Sequence, residues 1–206
     1  MLQAAIFDMD GLIVDSEPLW RRTEVAVFGE VGLTLTEAMC EATTGLRIDE
    51  VALHWFRRSP WKGPSPHALA VRIVDRMIEH AGTAMQPGVA SALEACAEAG
   101  LRLAVASSSP LRLIDATLSR LGLRERFGKP HPAVFLNTAE QLGVAPAECL
   151  VLEDSLNGVL AAKAARTICV AVPSPSDRAD PRFAIADRVL GSLEELDERT
   201  IAELAE

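Results

Sequence analysis

Four short apolar runs, each closing on a polar or acidic residue or a loop, constrain what this 206-residue chain can fold into. They are "AAIFD" (Ala4 to Asp8), "LAVAS" (Leu103 to Ser107), "CLVLED" (Cys149 to Asp154) and "ICVAV" (Ile168 to Val172). Each is too short for a helix and almost unbroken in its hydrophobicity, the pattern of a strand buried on both faces of a parallel sheet. Helical periodicity fills the spaces between them. In "SPLRLIDATLSRLG", Leu111, Ile114, Leu118 and Leu121 form one stripe; Ser109 can cap it, Pro110 suits the first turn and Gly122 ends it. In "GVASALEACAEAG", Val89, Leu93, Cys96 and Ala97 form another, which Gly100 terminates. Strands alternating with helices of this length predict βαβ units, hence an α/β fold with a Rossmann-like parallel sheet covered by helices on both faces.

The alternation breaks after the first run. From Glu17 to Met85 the sequence carries helical patterning and no strand signal: Leu69, Ile73, Met77 and Ala81 make one stripe, and Ile48, Val51 and Trp55 make another. "SPWKGPSP" (Ser59 to Pro66) reads as a loop inside this block, and all three tryptophans, Trp20, Trp55 and Trp61, fall within it. The expectation is a helical cap of residues 17–85, inserted after the first strand and lying over the strand ends of a core made of 1–16 and 86–206. The chain should enter it near Asp15–Pro18 and leave near Gln86–Gly88.

In an open parallel sheet, ligands bind beyond the carboxyl ends of the strands. The first run ends in Asp8, with Asp10 two residues on; the second ends in Ser107 and Ser108; "GKPHP" brings Lys129 ahead of another helix; the third ends in Glu153 and Asp154. Taken singly, each has a blander reading. A lone DxD is more often a turn, the serines can cap a helix, a Lys before Pro is usually solvated, and "ED" before a helix complements its dipole. Together they form the donor set for a hard cation and a phosphate. Oxygen-only ligands suit Mg²⁺, and an ammonium with hydroxyl donors suits phosphoryl oxygens. Lys129 is one of only three lysines, with Lys62 and Lys163, against 17 arginines.

The net charge of −9 argues against nucleic acid or an anionic membrane as partner, since either polyanion would repel the chain. No apolar stretch approaches the roughly 20 residues of a membrane span, and no basic-then-apolar leader opens the sequence. Cys40, Cys96, Cys149 and Cys169 lie far apart, as reduced core cysteines do. The expectation is a soluble cytoplasmic protein, a monomer or weak dimer, acting on a small molecule.

"DMDGLIVD", "VASSS", "GKPHPAVF" and "LEDSLNG" resemble the four signature motifs of the haloacid-dehalogenase superfamily. The helical block resembles the small α-helical cap of its β-phosphoglucomutase-like members, and the similarity spans nearly the whole chain. "DSEPLW", "GLRIDEV", "PWKGPS" and "DPRFAIAD" are similar to its sugar-phosphatase branch. The resemblance implies a Mg²⁺-dependent phosphatase for sugar or sugar-alcohol phosphates, such as 2-deoxyglucose 6-phosphate or hexitol phosphates. It implies Asp8 as the nucleophile that becomes an aspartyl phosphate, and Asp10 as the acid and base. Mg²⁺ would be held by the Asp8 carboxylate, the Asp10 carbonyl and Asp154, with Glu153 in support. Ser107, Ser108 and Lys129 would hold the phosphoryl group.

"TTGLRID" resembles the family's specificity loop, which makes Glu17, Trp20 and Arg47 candidates for substrate selection; the plainer alternatives are cap core for Trp20 and solvation for Arg47. Related mutases carry a His where Trp20 aligns, which favours hydrolysis over the alternative of a phosphomutase. A receiver-like phosphoacceptor module would share the Asp, hydroxyl, Lys and acidic set. The helical insertion and Asp10, placed to destroy a phosphoryl-aspartate, argue against it. The chain also runs from "LGLRERF" almost directly into "GKPHP", roughly a dozen residues shorter than the resemblance implies.

Overall fold

The computed structural model describes residues 1–80, 84–127 and 135–205. Strands β1 (Ala4–Phe7), β2 (Arg102–Val105), β3 (Cys149–Glu153), β4 (Ile168–Ala171) and β5 (Arg188–Val189) form one parallel sheet in the order β2-β1-β3-β4-β5. The apolar runs are continuous because the sheet is covered twice. Alternate residues face opposite ways. Ala5, Phe7, Val105, Leu150 and Leu152 enter one core cluster, while Ala4, Ile6, Ala104, Cys149 and Val151 enter the other. Helices α5 (Val89–Glu98), α6 (Leu111–Arg120) and α9 (Glu198–Leu204) pack into the first cluster; α7 (Phe135–Leu142) and α8 (Leu156–Ala164) pack into the second.

The strands stop one or two residues short of the runs that predict them, so that Asp8, Ser107 and Asp154 stand just beyond the ladder. Two helical stripes are also corrected. In α6 the buried residues are Leu113, Ile114, Thr117 and Leu118, while Leu111 is 45% exposed. The cause is a second neighbour: Leu113 is drawn into the hydrophobic cluster of the helical insertion. In α5, Ala92 joins Val89, Leu93 and Cys96 inside, and Ala97 is exposed. Ser109 does not cap α6. Pro110 occupies the N-cap position, and the Ser109 hydroxyl is engaged elsewhere.

Between β1 and α5 lie four helices, α1 (Glu17–Gly29), α2 (Glu37–Glu41), α3 (Ile48–Arg58) and α4 (Pro66–His80). They gather around a cluster of their own that includes Val27, Phe28, Val51, Trp55, Leu69, Ile73 and Met77. Of the stripe that predicts α4, Leu69, Ile73 and Met77 are buried, and Ala81 lies outside the described residues. Trp61 meets Phe28 and Phe56 edge-on, with ring centroids 5.8 and 4.8 Å away. The two chain segments joining insertion to sheet run side by side. Val14 bridges to Met85, and the Gln86 N–H donates to the Ile13 carbonyl at 2.9 Å. A second connection ties α4 to α6, where Arg112 pairs with Asp75 and donates to the Val71 carbonyl at 3.1 Å.

All four cysteines are free and buried. No described helix is long and apolar enough to cross a membrane.

Candidate active site

The order of strands fixes where a ligand can sit. The chain crosses from β1 to β2 on one side and then returns past β1 to β3 on the other, so the crevice beyond β1 and β3 is the switch point of the sheet. Register sets Phe7 against Leu152, and the Asp8 N–H still donates to the Leu152 carbonyl at 3.0 Å. Asp8 is thereby brought beside Glu153 and Asp154. Each of the three carboxyl groups has an oxygen within 4.8 Å of the other two. Glu153 is buried and the other two are half-buried.

Burial holds the Asp8 carboxyl well above the usual carboxylate range, and the charges of Glu153, Asp154 and Asp10 push the same way against the Met9 backbone N–H. Asp154 is raised by burial and then by Glu153. Burial lifts Glu153 to about 7, although the Ser155 N–H and hydroxyl donate to it at 3.2 and 3.1 Å. Three oxygen donors that resist ionising together are the chemistry a hard divalent cation relieves. The cluster fits such an ion.

Two glycines make that crowding possible. A Cβ at Gly11, whose φ is +87°, would stand 2.1 Å from Asp154 Oδ2, and one at Gly158 would stand 2.0 Å from the Glu153 carboxyl carbon. Gly11 therefore does more than turn the chain. Gly158, unnoticed in the sequence, is kept side-chain-free by Glu153. We expect a divalent cation such as Mg²⁺ to raise the melting temperature, and Gly158→Ala, by displacing Glu153, to abolish most of that rise. In the unsubstituted protein that stabilisation should grow as pH rises toward and past about 7, where Glu153 ionises. A melting series with Mg²⁺ at several pH values checks both; a shift of wild-type size in Gly158→Ala would refute the account.

Asp10 stands apart from this cluster. Its Oδ1 accepts from the Ser16 hydroxyl at 2.6 Å and the Trp20 indole N–H at 3.2 Å. Its Oδ2 accepts from the Ser109 hydroxyl at 2.7 Å and, at a long 3.4 Å, from Ser107. The Ser107 oxygen in turn accepts the Ser109 N–H at 3.0 Å. One carboxylate is thus held by donors from both the insertion side and the loop after β2. Behind it, Val14, Ser16, Leu19, Met77 and Leu113 help close a cavity of about 10 Å³, near the limit for a single water. Ser16 and Ser109 were not legible as site residues, because a serine beside a helix start reads first as a cap.

The remaining candidates are dispersed. Glu17 is half-buried beside Asp10, raised by burial and by that charge, with Arg21 3.7 Å away pulling it down. Arg47 is exposed and pairs with Asp49 at 3.1 Å, its N–H donating to Glu50 at 3.2 Å at the start of α3. Its loop nevertheless comes down on the core, since a Cβ on Gly45 would lie 3.0 Å from the Asn157 side-chain nitrogen, three residues from Asp154. Ser108 is exposed between two buried serines. Lys129 lies outside the described residues.

The sequence profile of the haloacid dehalogenase-like hydrolases matches residues 2–166. The chain belongs to that family. Hexitol phosphatase B of Escherichia coli strain K12 is 44% identical over 207 aligned positions, covering 94% of this chain and 93% of the relative. The haloacid dehalogenase-like fold recurs in the crystal structure of CbbY from Rhodobacter sphaeroides in complex with phosphate. That structure has a TM-score of 0.82 at 30% identity, covering 95% of this chain and 96% of that one. β-Phosphoglucomutase from Clostridium difficile superposes with a TM-score of 0.84 over 99% and 97% of the two chains, and its 22% identity speaks to fold alone. The chain is an enzyme of this family, a phosphoric monoester hydrolase.

Proposed function

We propose that this hydrolase is a Mg²⁺-dependent phosphatase of small sugar or sugar-alcohol phosphates, working through an aspartyl phosphate. One observation carries the reading: the two carboxylates of "DMD" stand in different surroundings. Asp8 belongs to the acidic cluster with Glu153 and Asp154, while Asp10 is turned to four hydroxyl and indole donors. Divergent environments let two neighbouring acids take different roles.

An Asp8 oxygen attacks phosphorus in line, forming the O–P bond as the ester bond to the sugar oxygen breaks. Asp10 in its acid form gives its proton to that leaving oxygen. It then takes a proton from the water that attacks phosphorus and frees Asp8 and inorganic phosphate. Ser107, Ser108 and Lys129 hold the phosphoryl oxygens. Asp8, the Asp10 carbonyl and Asp154, with Glu153 beside them, would hold Mg²⁺, which neutralises charge on the nucleophile and the phosphoryl group.

Residues 17–85 act as a cap on a core of 1–16 and 86–206, hinged where Val14 meets Met85. Glu17, Trp20 and Arg47 select the substrate. The Trp20 indole on Asp10 stands where related mutases carry a His, which supports hydrolysis over a mutase. The free buried cysteines fit work in the cytoplasm, as a monomer or weak dimer.

Phosphate release from 2-deoxyglucose 6-phosphate, hexitol phosphates, nucleoside monophosphates and phosphoserine, with Mg²⁺ and after chelation, tests this. The expected result is the highest kcat/KM on the hexose and hexitol phosphates and loss of that activity on chelation. A preference outside that group, metal-independent turnover, or isomer interconversion without phosphate release would overturn it.

A further inference from the structure

The loop that carries Asp10 is closed on itself. The Ile13 and Val14 N–H groups donate to the Met9 carbonyl at 2.9 and 3.1 Å, and the Gly11 N–H donates to the Val14 carbonyl at 2.8 Å. That last bond fixes the peptide between Asp10 and Gly11. The peptide is planar and trans, so the Asp10 carbonyl is directed away from Val14. The next peptide, between Gly11 and Leu12, is held from outside the loop. Gln86 Nε2 donates to the Gly11 carbonyl at 3.2 Å, from 75 positions further along the chain. With the peptide planes on both sides secured, the two soft dihedrals of Gly11 are set, φ at +87°. A glycine needs this more than any other residue, because without a Cβ it passes readily into other conformations.

Gln86 is well placed to hold the loop. Its own N–H donates to the Ile13 carbonyl at 2.9 Å, and its neighbour Met85 bridges to Val14. Two residues on, a Cβ at Gly88 would stand 2.2 Å from the Glu194 nitrogen, in the turn Leu193–Glu195. The half-buried Gln86 side chain therefore springs from a backbone seated against the core. It clips the aspartate loop at two points, by main chain on Ile13 and by side chain on Gly11. Asp154 lies against the same glycine, its Oδ2 2.1 Å from where a Gly11 Cβ would stand.

We propose that Gln86 is a positioning residue for the metal. By holding the Gly11 carbonyl it fixes the direction of the Asp10 carbonyl and the surface on which the Asp154 carboxyl rests, two of the ligands assigned to Mg²⁺. The inference rests on that assignment and adds a residue, distant in sequence, that sets which cation the site prefers. Mg²⁺ demands near-ideal octahedral geometry, whereas Ca²⁺ accepts flexible arrangements of oxygen ligands. Releasing the clip should cost Mg²⁺ more than Ca²⁺.

Calorimetric titration of the chelator-stripped, substrate-free protein with Mg²⁺ and with Ca²⁺ tests this. Gln86→Met keeps the length of the side chain without a donor, and Gln86→Asn keeps the amide but falls a methylene short. Each variant should raise the Kd for Mg²⁺ about tenfold or more, the scale on which partners that orient metal ligands act. The Kd for Ca²⁺ should change several-fold less, so the preference for Mg²⁺ narrows. Unchanged Mg²⁺ affinity, or equal losses for the two cations, would overturn the inference alone, as would failure of both variants to fold, which would show a purely structural role. A wild type that binds no Mg²⁺, or Asp154→Asn binding it as tightly as wild type, would overturn the metal assignment and the inference with it.

Discussion

Asp8→Asn should leave a folded protein whose kcat is down by about 10⁴-fold or more, the scale seen when a nucleophile acting as part of a unit is removed. The substitution keeps the shape of the side chain and removes the anionic oxygen that would attack phosphorus. Its effect on stability runs the other way. Asp8 is raised by burial and by Glu153, Asp154 and Asp10, so its ionised form is disfavoured in the folded state. A group with a raised folded pKa takes up a proton on folding, and the stability it supports is lost as pH climbs from the unfolded value through the folded one. Asn carries no charge to repel. Metal-free Asp8→Asn should therefore melt above wild type at neutral pH, with a smaller rise on adding Mg²⁺. Phosphate release and melting curves, each with and without Mg²⁺, check both halves. Turnover near the wild-type rate would refute Asp8 as nucleophile.

Much of this arrangement was legible in the chain because it is local. Runs such as "CLVLED" show a strand and its acidic end together, since burial on both faces leaves no polar residue until the strand stops. Asp8, Asp10, Glu153 and Asp154 followed from those ends. What could not be read depends on meetings between distant segments. Nothing near Leu111 says that α6 has the insertion's cluster on its flank, so the sequence stripe begins with Leu111 where the structure buries Leu113. Gly158 matters because of Glu153, five residues away across a turn, and a glycine in a helix is ordinarily just a weak helix former. Ser16 and Ser109 lie 93 positions apart and meet on Asp10. The two-residue β5 has too little sequence to show a pattern.

Asp10→Ala is the complementary experiment, and its signature differs from that of Asp8→Asn. Removing a positioned acid and base costs on the order of 10²–10⁴ in rate. The loss must depend on the leaving group. A sugar alkoxide needs the proton as the ester bond breaks, whereas p-nitrophenolate departs without one. Asp10→Ala should thus retain far more of its phosphorylation rate on p-nitrophenyl phosphate than on a hexitol phosphate. The second half-reaction has no such escape, because water must lose a proton to attack the aspartyl phosphate. The variant should release a burst of nitrophenol and accumulate phosphoprotein on Asp8, visible as an added phosphate by intact mass. Stability will fall as well: Ser16, Trp20, Ser107 and Ser109 all direct donors at this carboxylate, and stranding buried donors costs about 1–3 kcal/mol. Asp10→Asn retains one acceptor oxygen and should recover part of that stability without recovering turnover. If Asp10→Ala slowed both substrates equally and formed no phosphoprotein, Asp10 would be a structural anchor between core and insertion, and the acid and base would have to be sought elsewhere.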